Sequence, residues 1–176
     1  QQVLFPTLRT LDGDRGRQAH AFLRAVRLLY FLGLPACVGL ALSAGPLLRL
    51  LWRDRWEEAI PIVTALSLGM TSRMIHGPSE AMLQAHGRNT AFMTFSLAYT
   101  GVYLVAVSVG ALWAQTLGAA IAASVVMFSM SPLALRLALA STGYGWEEVV
   151  RVYARASLVV LCAAIPAWFA VRSFES

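Results

Sequence analysis

The sequence contains no lysine: all 14 of its basic residues are arginine, set against nine acids, and charged residues fill only 13% of 176 positions. The missing lysine, beside abundant alanine, reads as a coding bias and not as a functional signal. The scarcity of charge does carry information. Soluble domains are roughly 25% charged and about 45–50% apolar, whereas this chain is 58% apolar. A soluble fold of this length has too little interior to hide that surface, and the same proportions exclude disorder. Only two cysteines occur, Cys37 and Cys162, each alone in an apolar stretch. They offer neither a disulfide framework nor a metal spacing and read as small buried side chains. Also missing are a Walker-type glycine loop, His-Glu-x-x-His, Cys-x-x-Cys and the Gly-x-Ser-x-Gly elbow. Asp12 and Asp14 form an Asp-x-Asp, but in an arginine-rich segment that is poor ground for a metal. No catalytic residue, metal or cofactor is expected, and the chain reads as no enzyme. The opening Gln1-Gln2-Val3 has no basic stretch before a short apolar core, so no signal peptide is read there. We expect a piece of a longer protein.

What the chain does have is long apolar runs. A bilayer core takes roughly 20 apolar residues per helix. Leu28 to Leu48 is uncharged and long enough, with Arg49 able to snorkel at its end. Asn89 to Leu135 is uncharged too, but far too long for one span. Its natural break is Gly110–Gly118, where Trp113 and Gln115 suit an interface. Glu57 to Gly87 is apolar overall, yet carries Arg73, His76 and Glu80. The expectation is an all-α integral membrane protein of about five transmembrane helices, part of a two-bundle transporter. Residues 1–27 read as a cytoplasmic segment with an amphipathic helix, and 28–176 as a transmembrane bundle with spans near 28–52, 57–86, 89–110, 115–138 and 150–172.

The arginines orient these spans. Arg9, Arg15, Arg17, Arg24, Arg27, Arg88, Arg136, Arg151 and Arg155 fall on one side, against Arg49, Arg53, Arg55 and Arg172 on the other. The positive-inside rule puts the first group in the cytoplasm. A basic chain could also suit nucleic acid, but arginines placed between apolar runs favour a membrane surface, and no nucleic-acid partner is expected. Proline recurs within or near the spans, at Pro35, Pro46, Pro78, Pro132 and Pro166. Each removes a backbone hydrogen bond and can kink its helix.

The candidate site lies on the second span. Arg73, His76, Glu80 and Gln84 are spaced three, four and four apart, which puts them on one helical face. Gly77-Pro78 between them predicts a bend. An ionised side chain at membrane depth costs of order 3 kcal/mol or more and usually faces a cavity or a partner. Arg73 is therefore read as a binder of anionic groups, with His76 and Glu80 tuning charge or carrying a proton. A structural pairing of Arg73 and Glu80 with another helix is the plainer alternative. On the third span Ser96, Tyr99 and Tyr103 share a face, and tyrosine can stack on and hydrogen-bond to a sugar. Packing between helices would explain them equally. Trp52, Arg53, Arg55 and Trp56 read as an interfacial belt.

Read end to end, the chain resembles the C-terminal part of polysaccharide (lipid-linked oligosaccharide) flippases of the multidrug/oligosaccharidyl-lipid/polysaccharide exporter superfamily. The resemblance rests on pieces in order: Phe5-Pro6-Thr7-Leu8, Asp14, the Arg17–Arg27 segment with Ala21-Phe22, Leu34-Pro35 with Gly39-Leu40, and Ala44-Gly45-Pro46-Leu47-Leu48. Leu51-Trp52-x-x-Arg55-Trp56-x-x-Ala59-x-Pro61 and Leu83-Gln84-Ala85-x-Gly87-Arg88 follow. It covers residues 3–90, and the remainder by hydropathy alone; Trp52 stands where the family often has glycine. The resemblance implies movement of a polyisoprenoid-pyrophosphate oligosaccharide across the bacterial inner membrane by two bundles in alternating access. The implied partners are the lipid bilayer, that substrate, and a missing N-terminal bundle or partner membrane chain. The rival readings are a non-catalytic partner subunit of an envelope polysaccharide pathway, a drug/cation exporter of the same superfamily, and a membrane-embedded transferase using His76 and Glu80.

Overall fold

In a computed structural model of the chain, residues 15–140 and 144–154 are described. The readings placed on residues 1–14, on Cys162 and on the fifth span beyond residue 154 lie outside them. The described residues are helical apart from short turns, and no strand occurs among them.

Helix α1 runs unbroken from Arg15 to Trp52, with Pro35 and Pro46 inside it. The amphipathic opening and the first apolar run are thus one helix. Ala19, Phe22, Leu23, Val26 and Tyr30 recur at three- and four-residue steps and are buried, while Leu28, Phe31 and Leu32 on the other side are exposed. A tight 3₁₀ turn, Arg53–Trp56, leads into α2, Ala59–Met70, where Pro61 sits in the first turn and needs no N–H partner. Helix α3 follows at Arg73–Ala85.

The second apolar run is interrupted at Thr71-Ser72, and not at Gly77-Pro78. Pro78 lies within α3. At the interruption both residues keep right-handed helical dihedrals, but their N–H groups bond three residues back, Thr71 to Leu68 O and Ser72 to Gly69 O. The Ser72 hydroxyl also donates to Gly69 O at 2.7 Å. Adjacent Thr and Ser can compete for backbone groups in this way and tighten a turn. Helix α3 ends in a turn closed by Gly87 N→Gln84 O and Arg88 N→Leu83 O, both 3.0 Å, with Gly87 at φ 66°. Paired bonds of this type require a left-handed residue, which glycine supplies without strain.

Helix α4, Asn89–Leu139, doubles back on itself. Ala114 (φ −140°, ψ 33°) and Gln115 (φ 50°, ψ −131°) leave the helical region and make a sharp turn. The two halves then meet at glycine. A Cβ on Gly118 would lie 2.0 Å from Gly110 O, and one on Gly110 would lie 2.4 Å from Gly118 O. Small residues let helix backbones approach in this manner.

Residues 146–154 form a last described helical segment, α5, which buries Val149 and Val152. The main apolar core lies where the first half of α1, α3, the end of α4 and α5 converge, around Phe22, Tyr30, Ile75, Met82, Leu135 and Leu139. Polar ties close that end: Arg27 Nη2 to Glu148 Oε2 at 3.0 Å, His86 Nε2 with Gln18 Oε1 at 3.1 Å, and Arg88 Nη1 to Leu137 O at 3.4 Å. Arg151 also pairs with Glu148. The opposite end holds the Trp52 and Trp56 rings, 6.3 Å apart, and an Arg49–Glu57 pair at 3.1 Å.

Among the described residues, two helices, Gln18–Trp52 and Asn89–Leu139, are long and apolar enough to cross a membrane. Large apolar side chains also cover much of the outside: Leu112 is 89% and Trp113 91% exposed at the tip of the α4 turn. An exposed apolar surface of this extent calls for a non-aqueous neighbour.

Candidate functional site

Helix α3 has two unlike faces. Ile75, Pro78, Ser79, Met82 and Leu83 are buried against the rest of the chain. Arg73, His76, Glu80 and Gln84 lie on the other side, as their spacing demands. Across from them the first half of α4 presents Phe95, Tyr99 and Tyr103, each one helical turn after the last. Together these elements enclose a cleft of about 120 Å³, lined by Arg73, His76, Gly77, Glu80 and Tyr99.

His76 is the most confined member. Its Nδ1 lies 3.9 Å from Glu80 Oε1, a charge contact too long for a hydrogen bond. Its Nε2 is buried with no hydrogen-bond partner among the described residues. The imidazole is held between rings, with centroids 5.8 Å from Phe95 and 5.1 Å from Tyr99. The aromatic series continues outward. Phe95 and Tyr99 stack at 6.4 Å and Tyr99 and Tyr103 at 6.0 Å, with interplanar angles of 24° and 26°. Arg73 is exposed at the mouth.

The structure therefore brings Arg73, His76, Glu80 and Tyr99 together. Tyr103 stands beside them in the aromatic ladder and does not line the cleft. Gln84 shares the helix face but is exposed beyond the end of the cleft. Sequence reasoning missed Phe95, which is buried against the imidazole. The signal was present, since Phe95 precedes Tyr99 by one turn as Tyr99 precedes Tyr103. It also missed the serines behind α3 described below.

The arrangement has a definite chemistry. An exposed guanidinium offers a planar fork of donors to carboxylate or phosphate oxygens. Stacked tyrosines give flat apolar faces with hydroxyl edges, suited to sugar rings. Glu80 and His76 line the same cleft as the guanidinium.

Comparison with known proteins agrees in direction. A family model described as "Polysaccharide biosynthesis protein" matches residues 1–61. An uncharacterised membrane protein in the cps region of Klebsiella pneumoniae is 23% identical over 120 residues, covering 68% of this chain and 25% of that protein. The lipopolysaccharide biosynthesis protein WzxC of Escherichia coli K12 is 22% identical over 117 residues, covering 66% of this chain and 24% of the relative. The chain thus spans about a quarter of the length of the curated relatives it matches. No solved structure matches. The resemblance read from the sequence stands: the chain is akin to bacterial membrane proteins of polysaccharide biosynthesis.

Proposed function

From that kinship as premise, we propose that the chain is part of a multi-pass inner-membrane transporter that flips a polyisoprenoid-linked oligosaccharide for polysaccharide export. It acts by transport and not by catalysis. The carrying observation is the cleft itself, in which an arginine, a histidine and a glutamate on one face of α3 meet a tyrosine of α4. Arg73 binds the pyrophosphate of the carrier lipid. Tyr99 and Tyr103 stack against the adjoining sugars, and His76 with Glu80 moderates the positive charge so that the anion can leave again.

Four spans among the described residues fit this reading, namely α1, the α2–α3 pair and each half of α4, and the sequence leads us to expect a fifth near 150–172. The site faces away from the chain's own core, where a second bundle would close it. An arginine at membrane depth costs of order 3 kcal/mol or more unless it has a partner. A missing bundle and an anionic substrate between them supply one. Arginine in the cavity also disfavours a drug/cation exporter, whose cargo it would repel.

The test is flipping of a fluorescent polyisoprenoid-pyrophosphate oligosaccharide by the full-length protein in vesicles. Arg73→Ala is expected to abolish most transport, with smaller losses for His76→Ala and Glu80→Ala. If all three retain full transport at normal expression, the reading fails.

A further inference from the structure

Behind the cleft, on the buried side of α3, lies a chain of hydroxyls ending on the backbone that carries Arg73. Tyr153 of α5 donates to Ser131 Oγ at 2.6 Å. Ser131, in the second half of α4 and fully buried, donates to Ser72 O at 3.3 Å. That oxygen belongs to the peptide joining Ser72 to Arg73. It also accepts from Ile75 N at 3.1 Å and His76 N at 3.3 Å, so it opens the hydrogen-bond ladder of α3 and fixes where that helix begins. One carbonyl thus sets the position of both Arg73 and His76, and its side-chain donor is Ser131, itself oriented by Tyr153.

A second bond of the same kind provides an internal comparison. Ser124 Oγ donates to Ala65 O at 2.7 Å. Ser124 precedes Ser131 by seven residues, and Ala65 precedes Ser72 by seven. The two bonds clasp the same pair of neighbouring segments, one before the interruption at Thr71-Ser72 and one at it. Only the Ser131 bond lies at the start of α3.

We propose that Ser131 and Tyr153 are positioning residues of the anion site, holding the start of α3 so that Arg73 and His76 face the cleft in register, and linking that register to the placement of α5. This rests on the reading of Arg73 as the anion binder. The prediction separates positioning from stability. Removing one hydrogen-bond donor costs about 0.7–1.4 kcal/mol, which, expressed in binding, is about 3- to 10-fold in Kd.

The experiment titrates purified full-length protein in detergent with inorganic pyrophosphate and records Kd beside the thermal midpoint. Tyr153→Phe and Ser131→Ala are expected to weaken pyrophosphate binding about 3- to 10-fold, and Ser131→Thr, which keeps a hydroxyl, to restore it. Ser124→Ala is expected to lower the midpoint as Ser131→Ala does while leaving Kd unchanged. If Ser131→Ala and Ser124→Ala lower the midpoint equally and neither moves Kd, the bonds are structural and the proposal is overturned with Arg73's role intact. If parent and Arg73→Gln bind pyrophosphate alike, or neither binds, the anion site itself fails and the proposal falls with it. Should Ser131→Ala not fold, Tyr153→Phe decides alone, since it removes one oxygen and keeps the ring.

Discussion

The glycine contact inside α4 invites a quantitative test. Substituting alanine at Gly118 places a methyl group 2.0 Å from Gly110 O and 3.0 Å from Ala114 Cβ. The first obstacle is backbone and cannot rotate away, so the two helix halves must part by about an ångström. Overpacking of this kind costs typically 1–3 kcal/mol, and a backbone obstacle belongs at the upper end. Alanine regains about 1 kcal/mol of helix propensity over glycine. The net expectation is a loss of about 1–2 kcal/mol. Gly33→Ala is the comparator, because its Cβ would meet only the flexible Met74 side chain, at 2.6 Å. Methionine re-packs readily, so the propensity gain offsets most of that cost. Thermal unfolding of the full-length protein in detergent should therefore rank parent and Gly33→Ala close together and Gly118→Ala clearly below. A Gly118→Ala protein as stable as the parent, or more stable than Gly33→Ala, refutes the close approach.

Other positions give tests of both signs. Gln115→Gly relieves a non-glycine residue at φ 50°, ψ −131° and is expected to raise stability by about 1 kcal/mol, seen as a higher thermal midpoint. Gly87→Ala forces a side chain into the left-handed region at φ 66° and is expected to cost about 1 kcal/mol by the same measurement. On the proposed reading, in which a second bundle covers the polar face of α3, the 176-residue chain expressed alone in detergent is expected to unfold over a broad range; a sharp, reversible transition would contradict that.

How much of this could be read in advance differs from element to element. The uncharged run from Asn89 to Leu135 is too long for a single span, and the polar Gln115 beside Trp113 pointed to a turn there; the backbone leaves the helix at Ala114 and Gln115. The interruption at Thr71-Ser72 carried no such mark. It keeps helical dihedrals and contains neither glycine nor proline, while the obvious Gly77-Pro78 sits inside α3. At the site, helical spacing alone aligned Arg73, His76, Glu80 and Gln84, but spacing says nothing of depth. Gln84 lies eleven residues from Arg73, about 16 Å along the axis at 1.5 Å per residue, and so passes beyond the cleft. Phe95 could have been found from its one-turn spacing to Tyr99, whereas Ser131 and Tyr153 depended on which helices become neighbours, a tertiary matter that hydropathy along one chain does not encode.

The prolines of α1 have a mechanical consequence. Pro35 and Pro46 are eleven residues apart, close to three full helical turns, so any bends they introduce fall in the same plane and add. Helix α1, about 57 Å long at 1.5 Å per residue, would then curve as a bow and not as a zigzag. A bow can shorten its end-to-end span by flexing, without breaking further hydrogen bonds. Its length exceeds a hydrocarbon core of about 30 Å, which leaves the arginine-bearing stretch from Arg15 to Arg27 room to lie outside the apolar layer. Any such bending would draw the Gln18 end and the Trp52 end towards the same side of the arc.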